Sequence, residues 1–115
     1  MVMTMHKHMF NGFLVVAAMG AFAPQASAAD VAAVVELAKT SGCYSCHANA
    51  EKIVGPSFAA IAERYAGDKD AAASIAQSIQ NGSRGKWGRV PMPGHSSLSA
   101  ADLKRLSEWV LTIKP

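Results

Sequence analysis

Long apolar runs, cysteine, aromatic residues and surplus charge are all scarce in this chain of 115 residues. A helix that spans a bilayer needs roughly 20 apolar residues, and the longest apolar run, residues 13–23, is only about half that and includes Gly20. Only two cysteines occur, so no disulfide framework can be built. Aromatic residues make up 7%, and no segment alternates apolar and polar residues as a half-buried strand does. Lys and Arg number 11 against 8 Asp and Glu, a surplus too small to argue for nucleic acid or an anionic membrane. Internal repeats and low-complexity tracts are also missing.

The N-terminus has the order of a secretory leader. Residues 1–12 carry Lys7 and two histidines and no acid. The apolar run follows, Pro24 and Gln25 break it, and Ala26-Ser27-Ala28 places small residues at alternate positions. The expectation is a cleaved signal peptide over 1–28, cut after Ala28 or Ala29, and one domain over 29–115. An uncleaved anchor is the alternative. Without Lys7 the balance is 10 minus 8, or +2. Export would bring the chain to an oxidising compartment, where cysteines seldom stay free.

The remainder reads as all-α. Asp30 is expected to cap a helix over 31–41, with Val34, Leu37 and Ala38 on one face and Gly42 at its end. A short helix is expected over 57–65, with Phe58, Ile61, Ala62 and Tyr65 on one side and Gly67 as its stop. A third should begin at Asp68 or Asp70 and run through Ile75, Ile79 and Asn81 to Gly82. Ser99 should cap a fourth in a capping box with Asp102, its stripe formed by Leu103, Leu106, Val110 and Ile113 beside Trp109. Between the last two lies GSRGKWGRVPMPGHSS, residues 82–97. Its four glycines and two prolines exclude a helix or a central strand. A structureless loop this long is usually functional or disordered, and Trp87, Val90 and Met92 argue against disorder.

Both cysteines fall in SGCYSCHANA. On a helical turn, Cys43, Cys46 and His47 occupy i, i+3 and i+4 and share a face. Two thiols so placed can add to the two vinyl groups on one edge of a haem, and the imidazole can then reach the iron, which is why C-x-x-C-H reads as a c-type haem attachment site. A thioredoxin-like dithiol would need a βαβ setting. Zinc would need four ligands, with Cys43, Cys46, His47 and His95 the only nitrogen and sulfur donors in 29–115 that qualify for it. A disulfide across a two-residue gap would close a tiny loop and stabilise little.

A haem held by His47 can take a second His, take Met, or stay open. Met1, Met3, Met5, Met9 and Met19 all precede the expected cut, and Met92 alone remains. Pro91 and Pro93 flank it and restrict the backbone that would aim its sulfur. A Met that fills a gap in the core is the plainer reading. His95 is the competing ligand, otherwise an exposed loop residue. His/Met ligation would raise the reduction potential relative to two imidazoles and fill both axial positions.

GCYSCH, IVGPSF, NGSRGKWGRVPMP and LSEWVL, in that order and approximate spacing, resemble the small class I c-type cytochromes of bacteria, most closely the short c-551 group. The resemblance covers nearly all of residues 30–114. It implies the class I cytochrome c fold, with about four helices around one haem c joined through Cys43 and Cys46. It implies His47 and Met92 as ligands of the iron, the Pro56 carbonyl on the other ring nitrogen of His47, the Trp87 indole on a haem propionate, and Asn81 as support for the Met92 loop. Pro56 could instead only precede a helix, Trp87 only pack in the core, and Asn81 only end one. Gly42 either lets the first and last helices approach or merely caps the first. Arg84, Lys86 and Arg89 could steer an acidic partner, balance the propionates, or simply be solvated. The sequence departs from the group just after Met92, where Gly94-His95-Ser96-Ser97 replaces a stretch that often offers an Asn to the Met sulfur.

The expected function is a soluble, monomeric, periplasmic one-electron carrier and not an enzyme. It would run between reductase-side donors of a respiratory chain and a terminal acceptor such as an oxidase, nitrite reductase or peroxidase. Contacts with these partners would be transient, at the haem edge near Ala48 and Val54. No nucleic acid and no stable membrane insertion are expected. The alternatives are a haem enzyme or ligand sensor with an open or His95-ligated sixth site, and a haem-free thiol redox protein.

Overall fold

The computed structural model describes residues 19–115. The leader expected over 1–28 therefore lies, as far as residue 18, outside the described residues. Residues 19–27 are exposed and belong to no helix or strand.

Four α-helices follow: α1 (Ala28–Thr40), α2 (Phe58–Arg64), α3 (Ala71–Asn81) and α4 (Ala100–Val110). A single 3₁₀ turn, Cys43–Ser45, lies between α1 and α2. Among the described residues there is no strand, only two isolated bridges, His47 with Lys52 and Ser83 with Met92. No helix among them is long and apolar enough to cross a membrane.

α1 begins earlier than the sequence suggests. Ser27, not Asp30, is the N-cap: its hydroxyl accepts from the Asp30 N–H (3.2 Å), and the Asp30 carboxylate accepts from the Ser27 N–H (3.1 Å). Asp30 thus stands at the third helical position of a capping box. The Ser27 side-chain and backbone hydrogen bonds hold its carboxyl below the usual range. A cut after Ala28 would remove Ser27 and this cap with it. At the other end, Gly42 has φ 79° and its N–H reaches the Lys39 carbonyl (3.0 Å). A Cβ on Gly42 would meet nothing within 4 Å, so left-handed backbone, not close helix approach, explains the glycine.

α2 is capped by Ser57, whose hydroxyl accepts from the Ala60 N–H (3.0 Å). Asp70 occupies the N-cap of α3 but makes no side-chain cap bond. Only half of the box expected on α4 forms. Ser99 accepts from the Asp102 N–H (3.1 Å), while the Asp102 carboxylate faces Arg105.

α4 is the element on which the others meet: α1, α2 and α3 all pack against it. Leu103, Leu106, Trp109 and Val110 are buried, and with Val34, Ala38, Phe58, Ile75 and Ile79 they form the core. Leu37 and Ile113, expected in the apolar stripes, pack on its margin. Ser107 is also buried, and its hydroxyl is satisfied by the Lys104 carbonyl one turn back (3.0 Å). Leu106 is 1% exposed and sits where the helices converge. Leu106→Ala should destabilise the chain by about 2–5 kcal/mol, read from urea unfolding. An effect under about 1 kcal/mol would mean that α4 is not the packing centre.

Candidate functional site

The segment 41–47 turns tightly after Gly42. The Cys46 and His47 N–H groups both point to the Cys43 carbonyl (3.2 and 3.0 Å), so the turn brings Cys43, Cys46 and His47 to one side as the spacing predicts. The two thiols are separate, and each is half-buried. Burial pushes the Cys43 thiol pKa up.

The imidazole of His47 is buried and held on several sides. Nδ1 lies 2.6 Å from the Pro56 carbonyl oxygen, which can only accept, so Nδ1 carries the proton and Nε2 is left with its lone pair. The ring stacks on Phe58, centroids 5.2 Å apart and planes 24° from parallel. The backbone at Gly55 passes so close that a Cβ there would lie 2.6 Å from Cε1 of His47. Gly55 itself is pinned by its N–H on the Cys46 carbonyl (2.8 Å).

Met92 arrives from the 82–97 loop. It pairs with Ser83 through two backbone hydrogen bonds, Met92 N–H to Ser83 carbonyl (2.9 Å) and Ser83 N–H to Met92 carbonyl (3.1 Å). Three residues on, the His95 N–H bonds the Ile79 carbonyl at the end of α3 (2.8 Å). Gly82 has φ 76°, and a Cβ there would lie 2.5 Å from the Met92 carbonyl oxygen. Support for the loop from this end of α3 is therefore backbone against backbone. The Asn81 side chain is exposed and makes no hydrogen bond among the described residues.

Cys43, Cys46, His47, Pro56 and Met92 line one open cavity. Ile75 and Ile79 of α3 and Leu106, Trp109 and Val110 of α4 supply an apolar wall. Ser78, Lys86 and Trp87 are also at its edge, and no Asp or Glu lines it. His95 is half-buried and lines the same cavity, so it is not the simple exposed loop residue the sequence suggests. Val54 borders the mouth and Ala48 does not. Trp87 is half-buried, with the Arg64 guanidinium 4.4 Å above its ring. Arg64 also donates to the Lys86 carbonyl, and the Lys86 ammonium donates to Ser78 (3.0 Å). Asn81 does not line this cavity; it borders a separate hollow against Pro91, Met92 and Pro93.

This donor set suits a large apolar macrocycle with a metal at its centre. Two thiols stand on one turn for two thioether bonds, an imidazole is fixed with one nitrogen unpartnered, and a thioether comes from another element. The apolar walls match the ring, and the cations near the mouth match its acidic side chains. Zinc fits less well, since no three His, Cys, Asp or Glu side chains among the described residues gather as a metal cage. The role of Gly55 is hidden in the sequence, where Gly-Pro signals only a turn. Phe58 reads there as core, and Arg64 and Ser78 give no signal at all.

Gly55→Ala would drive a methyl into the His47 ring, which Phe58 backs. It should destabilise the chain by about 1–3 kcal/mol in urea unfolding. Stability within about 0.5 kcal/mol of the parent would show that the loop relaxes freely and does not fix the imidazole.

The model of the family described as Cytochrome c matches residues 31–114. Cytochrome c-551 of Azotobacter vinelandii is 48% identical over 79 residues, which cover 69% of this chain and 95% of the relative. Cytochrome c-552 of Nitrosomonas europaea is 46% identical over 79 residues, 69% of this chain and 77% of the relative. A crystal structure of the wild-type Nitrosomonas europaea cytochrome c552 superposes with a TM-score of 0.67 at 45% identity, over 70% of this chain and 99% of that one.

Proposed function

The chain belongs to the cytochrome c family, and from that premise we propose that it is a soluble, monomeric one-electron shuttle of the periplasm with His47 and Met92 on the haem iron. The family gives the class I cytochrome c fold, one covalent haem c with iron through Cys43 and Cys46, and electron transfer in place of enzyme catalysis. Haem c supplies the exchange of one electron between ferric and ferrous iron. A haem-free thiol redox protein is set aside by the same membership.

The observation that carries the ligation is the meeting of His47 and Met92 in one cavity from separate elements. The Pro56 carbonyl holds the Nδ1 proton of His47, so Nε2 is the nitrogen free to bind metal. The soft thioether of Met92 would favour the ferrous state and raise the potential. With His47 and Met92 both holding the iron from pinned backbones, no open site would remain for peroxide or oxygen. Trp87 and Lys86, beside the mouth, suit the propionates, and the end of α3 braces the Met92 loop through the backbone of Ile79 and Gly82. Residues 1–28 act as a cleaved signal peptide and leave a domain of 29–115. Donors on the reductase side of a respiratory chain and an oxidase, nitrite reductase or peroxidase as acceptor suit a carrier of this kind. Contact with each would be small and short-lived.

His95 in the same cavity gives a second reading some footing: an iron left open or bound by His95, as in a ligand sensor or haem enzyme. Absorption spectra separate the two. The oxidised chain should show the weak far-red band of Met sulfur on ferric iron. Met92→Ala should keep the covalent haem, lose that band, lower the potential, and let the ferric iron bind added imidazole. An unchanged potential and no ligand binding in Met92→Ala would remove Met92 from the iron. Loss of the parent's near-infrared histidine signature in His95→Ala would put His95 there instead.

A further inference from the structure

Phe58 reads in the sequence as a core residue, and its side chain can neither bind metal nor form a conventional hydrogen bond. It is 4% exposed and lines the cavity that holds His47. Its ring stacks on the imidazole, planes 24° from parallel and centroids 5.2 Å apart. Two more aromatic rings meet the phenyl edge-on: Tyr44 at 5.6 Å and 89°, Trp109 at 5.2 Å and 63°. The backbone beneath is anchored as well. The Phe58 and Ala59 N–H groups donate to the Ala48 and Asn49 carbonyls (2.9 and 3.0 Å). The Tyr44 hydroxyl donates to the Asn49 side chain (3.1 Å), which ties Tyr44 to the same segment. The phenyl is thus held from its own backbone and by two neighbouring rings.

The imidazole needs a wall of this kind. The outer torsion of a histidine side chain is broad and has no sharp staggered wells. The bond from Nδ1 to the Pro56 carbonyl fixes one ring atom, but a carbonyl oxygen accepts hydrogen bonds over a wide range of directions. The Gly55 backbone passes close to the Cε1 edge. These contacts hold the rim of the ring and leave its tilt to whatever covers its face. We propose that Phe58 is the positioning residue that sets the plane of the His47 imidazole. This rests on His47 as a ligand of the iron. The plane of a ligating imidazole selects which metal π orbital it mixes with, and so where the unpaired electron of the ferric state spreads over the macrocycle. Pro56 then decides which nitrogen binds, and Phe58 the angle at which it binds. Core packing alone also accounts for the burial of Phe58, but it implies that any side chain of similar volume would serve.

The test uses the haem-loaded chain and two substitutions at this position: Phe58→Leu, which fills much of the space without a flat face, and Phe58→Tyr, which keeps the face. Leu103→Ala is the control, since Leu103 is buried in the same core and does not line the cavity. Proton NMR of the parent comes first. In the ferric form the His47 ring protons should carry the large shifts of a ligand on paramagnetic iron; without them the ligand reading fails on the parent alone, and this inference with it, before any variant is compared. In Phe58→Leu the shifted haem methyl signals should change in order or spread. In its ferrous form the His47 Nδ1 proton should exchange with solvent at least about tenfold faster. Phe58→Tyr should keep the parent's methyl order. Leu103→Ala should unfold at lower urea and keep that order too. If Phe58→Leu does not hold haem, Phe58→Met, which fills irregular space with a flexible chain, takes its place with the same expectation. Methyl signals and exchange like the parent's in the Leu or Met variant would overturn the proposal. So would the same changes in Leu103→Ala, because a looser core would then suffice with the phenyl face still present.

Discussion

The constraint on which the site depends is the grip on one imidazole. Ser57 caps α2, which fixes the residue before it, and the Pro56 carbonyl there takes the Nδ1 proton of His47 at 2.6 Å. Phe58, the first residue of the same helix, stacks on the ring and meets Trp109 of α4 edge-on, centroids 5.2 Å apart. It also receives Tyr44, from between the two cysteines, at 5.6 Å. Helix start, metal ligand and core are therefore one packed unit. A change that loosens α4 reaches the imidazole through a single phenyl ring.

The other side of the cavity is held by different means. Few side-chain bonds fix Met92; backbone pairing with Ser83, the His95 N–H on Ile79 and the bare backbone of Gly82 do so. Side chains in this loop are thus free to vary in charge and chemistry without moving the sulfur. That freedom is where His95, Arg84 and Arg89 sit.

The helices were legible because their signals are local. A 3.6-residue period, a Ser before α2 and α4 and a Gly after α1 and α3 need no knowledge of the rest of the chain. The errors came from competing local signals. Ser27 and Asp30 can both cap, and the small residues at 26–28 look like a cleavage site, so the sequence points to a cap three residues later than the one that forms. Asp102 could return to Ser99 or face Arg105, and it does the latter. The attachment turn was legible because Cys43, Cys46 and His47 are contiguous. Gly55 and Phe58 were not, since each acts on a residue eight or more positions away, and Arg64 meets Lys86 across 22 positions. Nothing in a linear pattern encodes contacts of that separation.

The central place of α4 bears on timing. The helix that α1, α2 and α3 all pack against is synthesised after them. Until residues 100–110 emerge, the apolar faces of the first three helices have no common partner, and the chain cannot close cooperatively. Such a delay suits a chain whose two thiols must be reached from outside: Cys43 and Cys46, half-buried in the finished domain, stay accessible to the chemistry that joins them to haem for as long as the last helix is still to come.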